Sequence, residues 1–361
     1  MALARSGRKA VQAATGAHRA DSNRAQVWCR YAAEPARQSP ALRYDILNRK
    51  PIDTLTDMAL ATARIPPRPL RGVRVLSLCL NLPGPAALMR CREMGATCVK
   101  LEPPPGAGAA PGSSGDPMGM YNRSAYATLN QGVRVLVADL KSEAGQRALH
   151  RELAKADVLL TSFRPSALTK LKLQWKDLHR QYPLLSQVAI VGAGGARAEQ
   201  PGHDLTYLAE NGLVGGLELP PTLYADMGGS VMAAEAVLQA LLLSRRKNKG
   251  HYLEVALCDA ARYLALPRTW GLTTPGAAVG GAHAGYRVYA CQDGRVAVAA
   301  LEPHFAKALC QAAGADYAGI ASMLSAATHQ QIARYLLGMT RAALDKLAAE
   351  RDIPLHTLAN S

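Results

Sequence analysis

Aromatic side chains make up only 5% of this 361-residue chain, with two Phe and three Trp. No basic stripe is interleaved with them, so a base-stacking surface for single strands is not indicated. No zinc finger, RNP-type aromatic run or helix-turn-helix signal appears. The seven cysteines (29, 79, 91, 98, 258, 291, 310) are odd in number and scattered. No CxxC, no HExxH and no Cys/His cluster with zinc spacing occurs, which argues against a disulfide framework or a metal site. Four of the cysteines sit in apolar runs, where a free thiol behaves as a small hydrophobe, and a reducing compartment is expected. The longest apolar run, Val231 to Leu243, is short for a bilayer and holds Glu235 and Gln239, so no membrane span is expected.

What is present points to a globular chain. Hydrophobic residues are 49% and charged residues 19%, values that exclude wholesale disorder, collagen and a coiled coil. The length suggests two domains. Of the net charge of +15, residues 1–70 hold 12 Lys/Arg against 5 Asp/Glu, hence +7. That segment lacks sustained periodicity and is broken by Pro35, Pro40, Pro51, Pro66, Pro67 and Pro69, so residues 1–69 read as a basic, poorly ordered extension. Its first twenty residues carry four basic and no acidic side chains, the pattern of a mitochondrial transit peptide. A flexible tail and a later start at Met58 are the competing readings.

After Leu70, strands and helices alternate. Val73–Cys79, Thr97–Leu101, Arg134–Leu140, Asp157–Leu160, Gln187–Val191 and Tyr252–Leu257 read as apolar strands. Helices are expected at Ala86–Met94, from Ser142 to Ala154, in short pieces from Pro165 and over Trp175–Gln181, and over Gly228–Leu243. Pro103 to Gly119 reads as a loop, and Arg245 to Gly250 as a basic turn at a helix end. The pattern predicts a Rossmann-like, doubly wound, mostly parallel α/β sheet over residues 70–266, with ligands bound beyond the carboxyl ends of the strands. The first turn carries Gly84 without GxGxxG, so a dinucleotide fingerprint is absent. Residues 267–361 read as a linker and a smaller C-terminal α+β domain. Its elements are a hairpin, Tyr286–Cys291 with Val296–Ala300 turning at Asp293-Gly294, and helices near 304–313 and through 328–349.

Three places carry candidate chemistry: Gly202-His203-Asp204 after a glycine-rich loop, Ala225-Asp226-Met227-Gly228-Gly229 at the start of the apolar helix, and Leu301-Glu302-Pro303 after a strand. Removing a weakly acidic carbon-bound proton needs a base and stabilisation of the charge left behind. A His and an Asp with separated pKa values suit a two-sided proton exchange. Glycines and helix N–H groups beside Asp226 suit close approach and an oxyanion. The competing structural readings are an N-cap for Asp226, a hydrogen-bonded core histidine for His203 and a loop carboxylate for Glu302.

In order along the chain, "LRGVRVLSL" with "PGPAA", "MGATCVKLEPP", "VADLKSEAG", "ADVLLTSFRP", "PGHDLTYLAENGL", "YADMGGSVMAAEAVLQALL" and "DGRVAVAALEPHF" resemble the class III CoA-transferase family. That family includes formyl-CoA and carnitine CoA-transferases and alpha-methylacyl-CoA racemase. The resemblance runs from about Leu70 to the C-terminus, and the Gly-His-Asp stretch is closest to the racemase branch. It implies His203 and Asp226 flanking the α-carbon of an acyl-CoA, with Glu302 near the histidine. In the transferase branch the position of Asp226 is a nucleophile that carries the acyl group as a mixed anhydride. For CoA itself the resemblance implies Arg134, Arg164, Lys100 and Asp204, the competing reading of each cation being a surface charge, and Phe163 reads either as a core aromatic or as a side chain stacking on adenine. It departs from the family pattern at Gln131 and Val133, usually basic, at Pro103, and in a shorter segment between His203 and Asp226. The chain also ends soon after "IPLHTLAN", where relatives continue.

The expected function is therefore a CoA-thioester enzyme, either transferring CoA between carboxylic acids or epimerising a 2-methylacyl-CoA. The acyl-CoA is a substrate and no permanently bound cofactor or metal is expected. The expected partners are the acyl-CoA, a carboxylic acid acceptor and a second copy in a homodimer, without nucleic acid or membrane. A cytoplasmic location is expected, or mitochondrial if residues 1–57 are a transit peptide. A catalytically inactive CoA-binding member is the alternative, and an anion or nucleic-acid binder using the basic tail is a further one.

Overall fold

The computed structural model describes residues 67–109 and 113–360. The basic extension, apart from its last three residues, lies outside them. Six strands form one parallel sheet: β1 (Arg74–Ser77), β2 (Thr97–Glu102), β3 (Arg134–Val137), β4 (Val158–Thr161), β5 (Ser186–Val191) and β6 (Tyr252–Ala256). Their order is β3-β2-β1-β4-β5-β6. The order reverses between β1 and β4, and such a switch point opens a crevice beyond the strand ends. The loops from Leu78 to Leu82 and from Ser162 to Arg164 border it.

Alternation along the strands divides the core into two. Val75, Val158, Leu160, Val188, Ile190 and Val255 face one layer of helices, while Leu76, Leu78, Val99, Leu101 and Leu159 face the other. Both faces are covered, which is why the strands read as continuous apolar runs. The helices of this domain are α1 (Pro83–Glu93), α2 (Pro117–Tyr121), α3 (Arg123–Asn130), α4 (Glu143–Leu153), α5 (Pro165–Lys170), α6 (Trp175–Gln181), α7 (Asp204–Glu210), α8 (Tyr224–Lys247), α9 (Leu257–Leu264) and α10 (Leu266–Thr269). Ser142 caps α4 by accepting from the Gly145 N–H (3.0 Å), as the sequence predicts. The segment predicted as a loop up to Gly119 instead enters α2, because Asp116 accepts from the Met118 N–H and Pro117 presets the first turn.

The apolar helix is longer than its apolar core suggests. α8 runs from Tyr224 to Lys247, so Arg245, Arg246 and Lys247 form its last turn rather than a separate turn. Asn248 closes it in the left-handed conformation (φ 49°), and the three cations face the negative end of the helix dipole. By length and composition this helix is long and apolar enough to cross a membrane. Here Ala233, Ala234, Val237 and Ala240 are buried against the sheet.

A smaller antiparallel sheet holds β7 (Tyr286–Cys291), β8 (Gly294–Ala299) and β9 (Leu355–Leu358) in the order β7-β8-β9. The third strand was not expected from the sequence. Helices α11 (Pro303–Ala313), α12 (Ile320–Met323), α13 (Ala326–Leu337) and α14 (Arg341–Arg351) cover it. The predicted helical stretch through 328–349 breaks at Gly338–Thr340, where Thr340 caps α14 by accepting from the Ala343 N–H.

Candidate active site

Two helix starts meet beside the switch point. The backbone N–H of Asp226, in the first turn of α8, donates to Asp204 Oδ1 in the first turn of α7 (2.9 Å). Asp204 is buried. His203 precedes it as the N-cap of α7, and its backbone N–H donates to Thr206 Oγ1 (3.0 Å). Tyr207 fixes this turn from below. A Cβ on Gly202 would lie 2.5–2.7 Å from the Tyr207 ring and hydroxyl, and one on Gly192 would lie 2.2 Å from the same hydroxyl. The glycines around His203 therefore serve close packing on a buried phenol.

The carboxyl of Asp226 is pushed up from 3.8 to about 6. Burial is the main cause, and the Asp204 charge adds to it, while the charge of His203 pulls the other way. His203 and Asp226 thus lie within electrostatic reach of one another. The N-cap reading of Asp226 fails, because Leu223 occupies that position and Asp226 stands three residues inside the helix. The glycines after it do not open a path for substrate. A Cβ on Gly229 would lie 2.3 Å from Leu257 Cδ2, and one on Gly228 would lie 3.3 Å from Leu264 Cδ1, so both permit close packing of α8 on α9. The Asp226 N–H is likewise not free for an oxyanion, since Asp204 already accepts from it.

The other predicted residues fall in different places. Glu302 is exposed at the N-cap of α11 in the small domain. Among the described residues no hydrogen bond or ion pair joins it to His203 or Asp226. Asp204 is buried, with its carboxylate accepting from the Asp226 N–H. Lys100 is fully buried and ion-paired to Asp116 (2.5 Å) and Glu102 (2.8 Å), with its Nζ 5.3 Å from the Tyr126 ring centre, so it is not placed to meet a phosphate. Arg134 binds Glu152 (2.6 Å) together with Arg74 (2.9 Å). Burial opposes ionisation of Glu152, but the two guanidiniums prevail and hold its carboxyl below the usual range. Arg164 is exposed at the N-cap of α5.

Phe163 borders a cavity of about 960 Å³ between the first turns of α4 and the C-terminal end of α5. Leu140, Phe163 and Leu171 supply its apolar part, and Lys141, Arg147, Lys170 and Lys172 line it together with Glu143, which pairs with Arg147 (3.3 Å). These four cations were not singled out from the sequence. Lys170 and Lys172 closely follow Phe163-Arg164-Pro165, and Lys141 ends the Asp139-Leu140-Lys141 stretch, so proximity to the quoted motifs was the available signal. Among the described residues no group of His, Cys, Asp or Glu is arranged to hold a metal ion.

The chain is 33% identical over 205 residues to cinnamoyl-CoA:phenyllactate CoA-transferase of Clostridium sporogenes, covering 53% of this chain and 50% of that protein. It is 31% identical over 263 residues to human alpha-methylacyl-CoA racemase, covering 68% and 65%. The match thus spans between half and two thirds of these relatives. A crystal structure of a hypothetical protein from Mycobacterium tuberculosis superposes with a TM-score of 0.69 at 25% identity, covering 81% of this chain and 84% of that one. The pattern of CoA-transferase family III matches residues 70–361, and the chain belongs to that family.

Proposed function

We propose that this protein acts on the thioester of an acyl-CoA, exchanging the proton on the α-carbon of a 2-methylacyl-CoA between His203 and Asp226. One group takes the α-proton from one face and leaves an enolate, and the other returns a proton to the opposite face. The observation that carries this reading is the partly buried Asp226 carboxyl, pushed up to about 6 mainly by burial and within electrostatic reach of His203. A group titrating near the working pH both accepts and donates a proton readily. The cavity at Phe163 supports the CoA part of the reading. Its apolar walls and four cations match a nucleotide carrying phosphates.

CoA transfer between carboxylic acids is the second reading, and the ionisation of Asp226 at neutral pH favours it. With a pKa of about 6 the carboxylate is mostly charged at pH 7. In that route the carboxylate attacks the thioester carbonyl, the C–S bond breaks, CoA leaves as thiolate, and a mixed anhydride remains for the acceptor acid. We also propose a homodimer, because α8 and α9 leave Tyr224, Met227, Val231, Leu242 and Tyr263 exposed, with Trp270 just beyond. Mutation separates the two chemical readings. Asp226→Ala abolishes both reactions, whereas His203→Ala abolishes α-proton exchange and spares transfer. Full activity in both variants would remove the site assignment.

A further inference from the structure

The nucleotide of an acyl-CoA lies far from the reacting carbon, and binding there raises kcat only where it fixes the geometry at the reacting centre. In this fold the cavity at Phe163 and the His203 turn belong to different segments. The first is lined by α4 and α5, and the second opens α7. A strap, residues 192–202, runs from the end of β5 to that turn. A carboxylate on the strap reaches across to α5. Glu199 accepts from the Ser166 backbone N–H (2.6 Å) and from the Ser166 hydroxyl (3.0 Å).

Each end of that contact is tied to a functional element. The N-cap of α5, Arg164, makes no side-chain cap bond and Pro165 has no N–H, so the first N–H of the helix is that of Ser166. Its acceptor comes from 33 residues away. The next residue, Ala167, already lines the cavity, as do Lys170, Leu171 and Lys172. On the strap, Arg197 holds Glu210 at the far end of α7 through both terminal nitrogens (2.6 and 2.9 Å), and its Nε donates to Gln200 Oε1 (3.0 Å). Only Gln200, Pro201 and Gly202 separate Glu199 from His203. The ring of Pro201 fixes its φ, Gly202 packs against the Tyr207 ring, and the Tyr207 N–H donates to the His203 carbonyl (3.3 Å). The path from the cavity through Ser166 and Glu199 to His203 is therefore continuous and has few free torsions.

We propose that Glu199 is a positioning residue that joins the nucleotide cavity to His203, so that binding of the CoA nucleotide sets the imidazole at the α-carbon. The inference rests on the α-proton reading. Hydrogen bonds to a charged carboxylate are stronger than neutral ones, which suits a contact that must hold position at the surface. Contacts of the nucleotide with Lys170 and Lys172 fix the end of α5, and Glu199 carries that register across the strap. His203 then meets a thioester whose far end is anchored by the same helix. Without the carboxylate the nucleotide still binds, but its binding no longer orders the histidine. The binding energy then appears in KM and not in kcat.

The test compares a 2-methylacyl-CoA with the same acyl group on pantetheine, which lacks the nucleotide. Solvent deuterium uptake is read in full-length wild type, Glu199→Ala and Glu199→Gln. In wild type the nucleotide is expected to raise kcat. Glu199→Ala is expected to lower the kcat ratio of the two substrates about 10-fold. Glu199→Gln keeps an acceptor for the Ser166 N–H and is expected to restore most of that ratio. An unchanged ratio in Glu199→Ala, whether both substrates lose kcat equally or neither does, overturns the positioning role and leaves the α-proton reading standing. No uptake by wild type on either substrate overturns the α-proton reading. The coupling is then judged without turnover, by amide hydrogen exchange with CoA alone as the probe. Slower exchange over residues 200–206 on adding CoA, present in wild type and absent in Glu199→Ala, supports it. The same response in both proteins, or none in wild type, overturns it.

Discussion

Replacing Asp226 with Asn tests the electrostatics of the site through stability alone. The folded chain holds a proton on Asp226 up to about pH 6, whereas an unfolded chain releases it near 3.8. Between those values the folded state binds more protons, so stability is present below pH 3.8 and is lost as pH rises toward 6. The full displacement corresponds to about 3 kcal/mol, and solvent reaching the partly buried carboxylate reduces it to about 1–3 kcal/mol. Asn is isosteric and never charged. Asp226→Asn should therefore be more stable than wild type by that amount at pH 8, and nearly equal to it at pH 4. Urea unfolding of both proteins at the two pH values reads the difference from the midpoints. A variant that is less stable at pH 8, or equally shifted at both pH values, would show that burial does not strain this carboxylate.

Three further substitutions probe the surroundings. Asp204→Asn keeps the oxygen that accepts from the Asp226 N–H and removes a charge that raises its carboxyl, so the acid limb of kcat/KM should move to lower pH. An unmoved limb would detach Asp204 from the titration. Lys100→Met leaves Glu102 and Asp116 buried without their cation and should cost about 3–5 kcal/mol of stability. Weakened CoA binding with unchanged unfolding would instead return Lys100 to the ligand. Gly202→Ala forces a Cβ into the Tyr207 ring and should cost about 1–3 kcal/mol together with a lower kcat, and crystallography should find the His203 turn displaced.

The sheet was legible because its strands are buried on both faces. Val158–Thr161 and Ser186–Val191 are wholly buried and so read as unbroken apolar runs, and their ends were placed within a residue or two. Asp226 and His203 were singled out through the resemblance, and the structure adds what sequence spacing does not contain. The 22-residue separation of Asp204 and Asp226 says nothing of the hydrogen bond that joins them. Lys100 was expected at CoA through the resemblance, and its partner Asp116, 16 residues away across a loop, lies outside any local sequence pattern. β9 was missed because a four-residue edge strand without apolar alternation, Leu355-His356-Thr357-Leu358, gains its identity only by pairing with β8. Glycine at 228 and 229 suggested room for a ligand, while the space is filled by Leu264 and Leu257.

The most direct trial is mass spectrometry of a single 2-methylacyl-CoA enantiomer incubated with the full chain in deuterated water. One deuterium at the α-carbon, accompanied by the opposite enantiomer and absent with Asp226→Ala, is the predicted result. A thioester recovered unlabelled and unchanged in configuration, while CoA passes to an added carboxylic acid, would contradict α-proton exchange and establish transfer in its place.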